Sequence, residues 1–587
     1  MIMPTTSLPD DATSPTPTSD GGWTATSATR PRSLVQARMA REVVCWCASV
    51  LVCWSAGVLV TSPVTAQEHK HLSMQEFYLD PTLYEMISPR HEYRVMEGGF
   101  PTKNIDSTVD VLSYELWFDW VMALQTARSE RPERKTEAKV VMHVRFLDGK
   151  PSLTLDARTV IIDSVFVDGA AAEFEKTNSV LEITPSSPFM ANDTAVITVH
   201  FANASDTRGF YAYSQVEADT LDLLAPIAFT FSQPEDARRW FPCNDKPHDK
   251  AVFTVHTRVP TGYTVVSNGT RQDSTADTDT TSWQTWNHPL PMSTYLLCVN
   301  ASKFHLYDQQ YVRDDNSIVP IANYHWLEDQ NGQTYSAERS LAEIPNMFAA
   351  MEDRFGTYPF ETYGHVTVAP IPFGGMEHQS MSTINRRWLM GDIELGYAHE
   401  LGHQWIGDEV TCATWADIWL NEGGASFSEA LWYEAKLGPV GYASVMDARR
   451  TRYMRRGLDE PPVYDIPINI IFNEATTYSK SAWVYHMMRR QNGDALFFPA
   501  LQSYIKKYHL AAAQTADMLA LFKEEMPNPP VDWDTFFDQW LVKAGHPVLN
   551  GIVSANTIAE GGMYRTRITI TPMQSGENLP SDFQFPL

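Results

Sequence analysis

Residues 399–427 read HELGHQWIGDEVTCATWADIWLNEGGASF, and this stretch decides how the rest of the chain is interpreted. It opens with a His-Glu-x-x-His pattern, in which His399 and His403 lie four residues apart and share one face of a helix. Two imidazoles on one face can bind one metal ion, and Glu400 on the adjacent side can take a proton from water at that ion. A helix with two ordinary histidines is the alternative. The pattern favours a zinc site.

A catalytic zinc site needs a third protein ligand and one open position. Eighteen residues separate His403 from Glu422, a gap that suits a loop and the start of a second antiparallel helix. Glu429 follows Glu422 by two helical turns and can accept the second ring N–H of a ligand histidine. An ordinary surface glutamate is the alternative for Glu429. The predicted cofactor is one Zn²⁺ per chain.

Four segments together resemble one protein family. Residues 399–427 resemble the zinc signature of the aminopeptidase N family of zinc metallopeptidases, the gluzincins that include leukotriene hydrolase. Residues 374–378, GGMEH, are similar to the family motif Gly-Ala-Met-Glu-Asn, and residues 478–482, YSKSA, to Tyr-x-Lys-Gly-Ala. Residues 232–253 resemble the family segment Ala-Arg-Arg-x-Phe-Pro-Cys-x-Asp-x-Pro. The resemblance runs from about residue 109 to residue 550, which is most of the chain.

The resemblance implies a role at the metal for five residues. Zinc is held by His399, His403 and Glu422, and Glu400 is the general base. Tyr478 donates its phenol O–H to the oxyanion of the tetrahedral intermediate.

The resemblance also implies a substrate-binding set. Glu377 binds the free α-amino group, with Gln233 as a second amine-binding residue or, alternatively, a turn residue before Pro234. Phe231 stands where a further glutamine is usual. The main chain of Gly374 and Gly375 pairs with the substrate as an added strand. Met376 lines the first side-chain pocket or packs in the core. His378 is the last member of the set.

The implied activity is that of a zinc metalloaminopeptidase, a hydrolase that acts on peptides with a free N-terminal amine. Epoxide hydrolysis of the leukotriene hydrolase type is one alternative, and a catalytically decayed scaffold is another. The leukotriene hydrolase branch continues into an all-helical C-terminal domain, whereas residues 560–572 have a strand-like pattern. The retained ligands, Glu400 and Tyr478 argue against a decayed site.

The hydrophobic pattern divides the chain into a β-rich half and a helical half. Alternation such as Tyr114, Leu116 and Phe118 recurs in the β half and predicts an antiparallel sandwich or saddle. Helical spacing marks five later segments, at residues 337–355, 397–407, 421–438, 479–493 and 515–526. The predicted fold class is multidomain α+β, with a thermolysin-like, mostly helical catalytic domain. The predicted domains are a leader (1–66), an extension (67–108), the β saddle (109–328), the peptidase domain (329–545) and a partial C-terminal β segment (546–587).

Composition and the first residues bear on location and partners. The chain has 71 Asp and Glu against 45 Lys and Arg, a formal charge of -26, which argues against nucleic-acid binding. An uncharged run at residues 43–60 follows Arg38 and Arg41, and small residues around Ala66 suit a cleavage site. We expect export to the periplasm or the extracellular space. An uncleaved anchor is the alternative, and no later segment reads as membrane-spanning.

Three of the six cysteines lie in the predicted leader. The other three, Cys243, Cys298 and Cys412, are widely spaced and match no zinc pattern. We expect buried thiols, with one bridge left open.

Overall fold

The computed structural model describes Lys103, Ile105 and residues 108–572, apart from residues 273, 372, 392, 457–459, 561 and 562. For residues 549–572 it describes the backbone. The predicted leader, nearly all of the predicted extension and residues 573–587 lie outside the described residues.

Strands dominate the chain up to Trp326, as the alternating pattern predicts. In chain order they are Val109–Asp119 (β1), Thr136–Phe146 (β2), Leu153–Asp156 (β3), Val160–Val167 (β4), Ala170–Ala171 (β5), Glu173–Lys176 (β6), Val180–Thr184 (β7), Thr194–Asn203 (β8), Thr207–Arg208 (β9), Phe210–Tyr213 (β10), Ile227–Thr230 (β11), Lys250–Pro260 (β12), Thr264–Ser267 (β13), Thr270–Arg271 (β14), Thr275–Thr278 (β15), Thr281–Ser293 (β16), Val299–Ser302 (β17), Phe304–Val312 (β18) and Ile318–Trp326 (β19).

These strands form stacked sheets around one apolar core. The largest is a nine-stranded sheet in the order β14-β16-β12-β1-β2-β8-β4-β5, with β15 beside β16. A five-stranded sheet, β13-β17-β11-β10-β9, and a three-stranded sheet, β3-β7-β6, complete this half. Tyr114, Leu116 and Phe118 are buried, as their alternation predicts. The predicted antiparallel pairing holds in the large sheet except between β1 and β12, which run parallel.

A third main sheet connects the two halves of the chain. It has the order β18-β19-β20-β22-β21, in which β20 is Tyr363–Val368, β21 is Gly375–Met376 and β22 is Ser382–Asn385. Strands on both sides of the predicted boundary at residues 328/329 therefore share one sheet. Strand β21 lies at its edge, and this places residues 374–378 beside an open side of the sheet.

Helices supply most of the second half. They are Val121–Gln125 (α1) and Gln215–Thr220 (α2) in the β half, then Ala337–Ser340 (α3), Ile344–Phe355 (α4), Glu394–His403 (α5), Trp419–Leu437 (α6), Pro439–Arg456 (α7), Ser481–Asn492 (α8), Asp494–Lys507 (α9), Thr515–Glu525 (α10) and Trp533–Phe537 (α11). Two π-helices, Glu474–Lys480 and Asp538–Val542, adjoin α8 and α11. Short 3₁₀ helices lie at Arg128–Glu130, Ala237–Arg239, Thr294–Leu296, Leu327–Asp329, Arg386–Met390, Trp415–Asp417 and Ile468–Ile470. Two short strands, Val410–Cys412 (β23) and Ala511–Ala513 (β24), pair in parallel.

The fold class predicted from the sequence is confirmed, although its helices differ from the five marked segments. The segment 337–355 forms two helices because the chain turns at residues 341–343, and Pro345 then lies in the first turn of α4, where its missing N–H costs no hydrogen bond. Three helices of the second half lie in none of the five segments that the spacing marked, namely α7, α9 and α11. After residue 545 the chain forms a hairpin, Leu549–Glu560 (β25) with Met563–Pro572 (β26), in agreement with the strand-like pattern.

Cys243, Cys298 and Cys412 are buried free thiols, as expected, and none of them forms the bridge that the sequence left open. Within residues 108–572 as described, no helix combines the length and apolar character that a membrane crossing requires.

Candidate metal centre

His399 and His403 meet Glu422 where α5 packs on α6. The Nε2 atoms of the two histidines are 3.1 Å apart, and the Oε2 atom of Glu422 lies 3.3 Å from one and 3.4 Å from the other. The three ligand atoms lie within 4.8 Å of one another. This convergence follows from the helical spacing of the histidines and from the start of α6 at Trp419, which puts Glu422 in its first turn.

The donor set fits a divalent metal ion such as zinc. Oε2 of Glu422 is buried and has no hydrogen-bond donor among the described residues, so a cation at this point would satisfy it. Burial disfavours the charged carboxylate of Glu422, but the two histidines outweigh this effect and lower its pKa to about 2. Burial likewise opposes charge on His399, yet Glu422 and Glu429 raise its pKa to about 10. The carboxylates thus create a field that favours positive charge between the ligands.

A further shell of side chains fixes the ligand rings. Nδ1 of His399 lies 3.0 Å from Oε1 of Glu429, which also pairs with Arg449 of α7. Nδ1 of His403 lies 3.2 Å from the carbonyl oxygen of Ile406. With Nδ1 of each ring donating to an oxygen, each Nε2 is free to face the metal. The pKa of Glu429 is about 2, because Arg449 and His399 outweigh its burial.

Two more carboxylates border the cluster. Glu400 and Glu377 are 5% and 3% exposed, and one ligand atom of each lies within 4.8 Å of the other and of a ring nitrogen of His403. Burial, reinforced by the neighbouring carboxylates, raises the pKa of Glu400 to about 8 and raises that of Glu377. A carboxyl with such a pKa exchanges a proton readily near neutral pH.

Glu377 is held by side chains from both halves of the chain. Nε2 of Gln233, from the loop after β11, donates to its Oε1 at 2.9 Å. Gln404, directly after α5, donates from Nε2 to the Glu377 carbonyl at 3.3 Å and accepts the N–H of Ser380 at 2.8 Å. Gln233 and Glu377, predicted to act together, are therefore in direct contact.

The other residues of the segment 374–378 take different positions. Gly375 and Met376 form β21, whose only strand neighbour among the described residues is β22. The Met376 side chain belongs to the core of the β half. His378 is fully buried, with Nδ1 2.8 Å from the Thr383 hydroxyl, so the structure does not bring its side chain to the metal cluster. Burial lowers the pKa of His378 to about 3.

Tyr478 lies on the π-helix Glu474–Lys480, at the cluster and partly exposed. Its ring stacks against His399 with centroids 5.9 Å apart and an interplanar angle of 29°. The ring of Tyr478 therefore lies against a predicted metal ligand.

The sequence reasoning missed two residues that shape the site. Arg449 holds Glu429, but it comes from α7, whose run RRTRYMRR gives no sign of which arginine points inward. Gln404 connects helix α5 to the loop of Glu377. It directly follows the histidine pattern in the sequence, yet the sequence reasoning gave it no role. Arg238 and Arg239 form ion pairs with Asp245 and Asp236, respectively.

Comparisons with known proteins match this architecture. The sequence model named Peptidase M1 N-terminal domain matches residues 112–296, and the one named Peptidase family M1 domain matches residues 339–540. Glutamyl aminopeptidase of Bos taurus is 30% identical over 362 residues, covering 58% of this chain and 36% of that protein. Aminopeptidase N of Rattus norvegicus is 28% identical over 412 residues, covering 65% of this chain and 41% of that protein. The chain thus spans about two fifths of the length of these curated relatives.

A solved structure, an M1 zinc metallopeptidase from Deinococcus radiodurans, has the same fold. It superposes with a TM-score of 0.64 at 24% identity, covering 77% of this chain and 97% of that one.

Proposed function

The chain belongs to peptidase family M1, and from that premise we propose that it is a zinc-dependent aminopeptidase that removes single residues from the N-terminus of peptides. The observation that carries the proposal is the position of Glu377. Its buried carboxylate lies beside the three metal ligands and is fixed by Gln233 from the other half of the chain.

A carboxylate at a fixed short distance from the metal selects the end of a peptide. It can bind the ammonium group of the first residue with a charge-assisted hydrogen bond. Once that group is bound, the first peptide bond reaches the metal and no space is left for an earlier residue. The main chain of β21 offers the substrate an open strand edge, which keeps its backbone in line.

The residues of the site divide the chemistry among them. His399, His403 and Glu422 would hold the zinc ion, which when bound supplies a Lewis acid that polarises the scissile carbonyl and lowers the pKa of water. Glu400 accepts a proton from the attacking water and returns it to the leaving amine. Tyr478 donates its hydroxyl hydrogen to the oxyanion that develops on the carbonyl.

A panel of aminoacyl fluorogenic substrates, with and without N-terminal acetylation, tests the proposal. We expect zinc-dependent release that acetylation abolishes, because an acetylated amine offers no ammonium to Glu377. Equal cleavage of the blocked substrates would contradict the exopeptidase assignment.

Two variants separate the roles of the carboxylates. Glu400→Gln should lose most turnover while keeping zinc, measured by metal analysis. Glu377→Ala should reduce cleavage of free-amine peptides and also keep zinc. Full activity of the first variant would contradict the general-base role, and metal loss in the second would show a structural role instead.

We also propose that the chain is exported and cleaved after Ala66, which rests on the charged, apolar and small-residue order of residues 38–66. N-terminal sequencing of the natural protein should then begin at Gln67. A start upstream of the apolar run, in a membrane fraction, would indicate the uncleaved anchor.

A further inference from the structure

A cavity of about 520 Å³ lies between the β half and the helical half. One wall begins directly after Gln233, at Pro234, Glu235 and Asp236. The facing wall is formed by residues 468–473, which lead directly into the π-helix that carries Tyr478. Its volume falls in the range of small-molecule sites, roughly 300–1,000 Å³. The cavity therefore adjoins two elements of the proposed active site and is large enough for part of a ligand.

The cavity is lined by arginines in a chain that is strongly acidic overall. Its positive residues are Arg158, Arg208, Arg238, Arg239 and Arg456, against the acidic residues Glu235 and Asp236. Such a concentration of guanidinium groups at one cavity contrasts with the formal charge of -26 for the whole chain. Arginine forks bind carboxylates with two parallel hydrogen bonds, which gives both affinity and geometry.

Two of these arginines remain available to a ligand. Arg208 pairs with Asp236 at 2.6 Å, yet its side chain is 58% exposed. Arg158 is exposed as well, and no carboxylate among the described residues lies within ion-pair distance of it. Arg238 and Arg239, in contrast, are engaged by Asp245 and Asp236, and they shape the wall.

The metal centre and the cavity carry opposite kinds of side chain. Glu377 and Glu400 border the metal ligands, whereas arginines line the cavity. The arginine-lined cavity begins one residue after Gln233, which holds Glu377. A peptide with a positive end and a negative group a few residues away is complementary to this arrangement.

We propose that the arginine-lined cavity binds a carboxylate of the peptide substrate beyond its first residue. The carboxylate is either the C-terminus of a short peptide or an acidic side chain, since both present the same planar anion. This inference rests on the proposed aminopeptidase function and adds a preference among its substrates.

Matched peptides test the preference on the zinc-loaded full chain. All share one N-terminal residue. One is neutral and C-terminally amidated, one has a free C-terminus, and others place Glu or Gln at positions two, three or four of an amidated peptide. We expect kcat/KM to be about tenfold or more higher for a peptide with a carboxylate than for its neutral partner, as suits hydrogen bonds to charged groups. The peptide with the largest preference identifies whether the terminus or a side chain is bound.

Arg158→Gln combined with Arg208→Gln should bring this preference to within about twofold while leaving cleavage of the neutral peptide unchanged. Arg455→Gln is the matched control, because Arg455 is an exposed arginine at the end of α7 that does not line the cavity. It should keep the full preference.

A wild-type chain without any preference, or with one confined to an acidic first residue, would overturn the proposal. A fall in kcat/KM of the same size for all peptides in the double variant would also overturn the proposal, because the arginines would then act only in stabilising the fold.

Failure of the proposed function is seen separately. It appears as no cleavage of the neutral peptide, whereas failure of this inference appears as equal cleavage of all peptides. Calorimetric binding of the same acidic and neutral peptides to the Glu400→Gln chain gives the comparison without turnover, and equal affinities there would also overturn the proposal.

Discussion

Gly375 shows how a single missing side chain shapes the centre. A Cβ atom at this position would lie 2.2 Å from Oε1 of Glu400 and 2.8 Å from the Trp388 ring. The backbone of β21 therefore lies directly against the proposed general base. A glycine here lets the substrate-binding strand and Glu400 occupy adjacent positions around the metal.

We therefore expect Gly375→Val to lower kcat/KM roughly 100-fold, because displacing a catalytic group by about 1 Å has an effect of this size. Zinc content should remain that of the wild type, since the added atoms meet Glu400 and not the metal ligands. Steady-state kinetics and metal analysis measure both. Gly149→Val is the control, as a Cβ at Gly149 meets nothing closer than 3.5 Å. Wild-type kinetics of Gly375→Val would show that the base does not depend on this contact.

His288 makes the stability of the protein sensitive to acid. It lies 3% exposed on β16, with Nε2 2.7 Å from the Gln379 side chain, and burial lowers its pKa to about 4. The unfolded chain, with an ordinary histidine pKa of about 6.5, binds the proton more readily than the folded chain between these values. The free energy of unfolding should therefore fall as the pH falls from 6.5 towards 4.

Between pH 7 and pH 5, we expect the wild type to lose about 2 kcal/mol more unfolding free energy than His288→Gln. Urea titrations at each pH give the difference between the two proteins, in which the other titrating groups cancel. His143→Gln, which replaces an exposed histidine of β2, should follow the wild type. Parallel pH dependence of wild type and His288→Gln would contradict the assignment.

At the scale of residues, the sequence predicts groups whose spacing is fixed by one local element. His399 and His403 lie on one helix, and the four-residue interval alone brings their Nε2 atoms to 3.1 Å. Arg449 could not be found in this way, because its contact with Glu429 depends on how α7 packs on α6. His378 is a similar case, since its contact with the Thr383 hydroxyl depends on the path of the chain after β21 and not on the motif.

At the scale of elements, the metal centre depends on a very close approach of α5 and α6. A Cβ on Gly402 would lie 2.4 Å from the Ser428 hydroxyl oxygen and 2.5 Å from its Cβ. One helix carries the two histidines and the other carries Glu422, so this contact sets the separation of the ligands. Any side chain at Gly402 should therefore move the two histidines of α5 away from Glu422 of α6.

Gly402→Ala should destabilise the fold by about 1–3 kcal/mol, as overpacking of a core does, and should weaken zinc binding. Chemical denaturation and competition with a chelator measure the two effects. Adding Ser428→Gly to the same chain removes both atoms that the new methyl group meets, and it should restore most of the zinc affinity. If the double variant stayed as weak as the single one, the contact would not set the ligand spacing.

Elements that depend on tertiary pairing were the hardest to predict. Alternation predicted a β-rich half but could not show that β18 and β19 join β20 and β22, because a period of two reports a buried face and not a neighbour. The π-helix that carries Tyr478 is likewise invisible in the spacing, since it differs from an α-helix by one residue per turn. Long amphipathic helices such as α6 and α8 were predictable because their own sequences set their period.

At the scale of the whole molecule, the β half positions the proposed amine-binding side of the candidate centre and the helices position its predicted metal ligands. Gln233 reaches Glu377 from the loop after β11. Asn268, between β13 and β14, donates to the Gln379 carbonyl at 2.7 Å, and the N–H of Gly269 donates to the Ser380 hydroxyl at 2.9 Å. The loop that follows Glu377 is therefore anchored to the β half at successive residues, and the two halves act as one site.

Because the β half anchors the loop that follows Glu377, Asn268→Ala should lower peptide cleavage without changing zinc binding. Its amide makes three hydrogen bonds, to Leu296, Gln379 and the N–H of Cys298, and its loss should free the loop of Glu377. We expect kcat/KM for free-amine peptides to fall roughly tenfold or more through misplacement of the ammonium partner, with zinc content unchanged.

Asn300→Ala provides the matched control, because Asn300 is equally buried in the β half but donates only to Val266 within it. Both variants should lose about 1–3 kcal/mol of unfolding free energy, and only Asn268→Ala should lose peptide turnover, because Asn268, unlike Asn300, donates to the loop that follows Glu377. Equal turnover in the two variants would show that the β half stabilises the molecule without positioning its site.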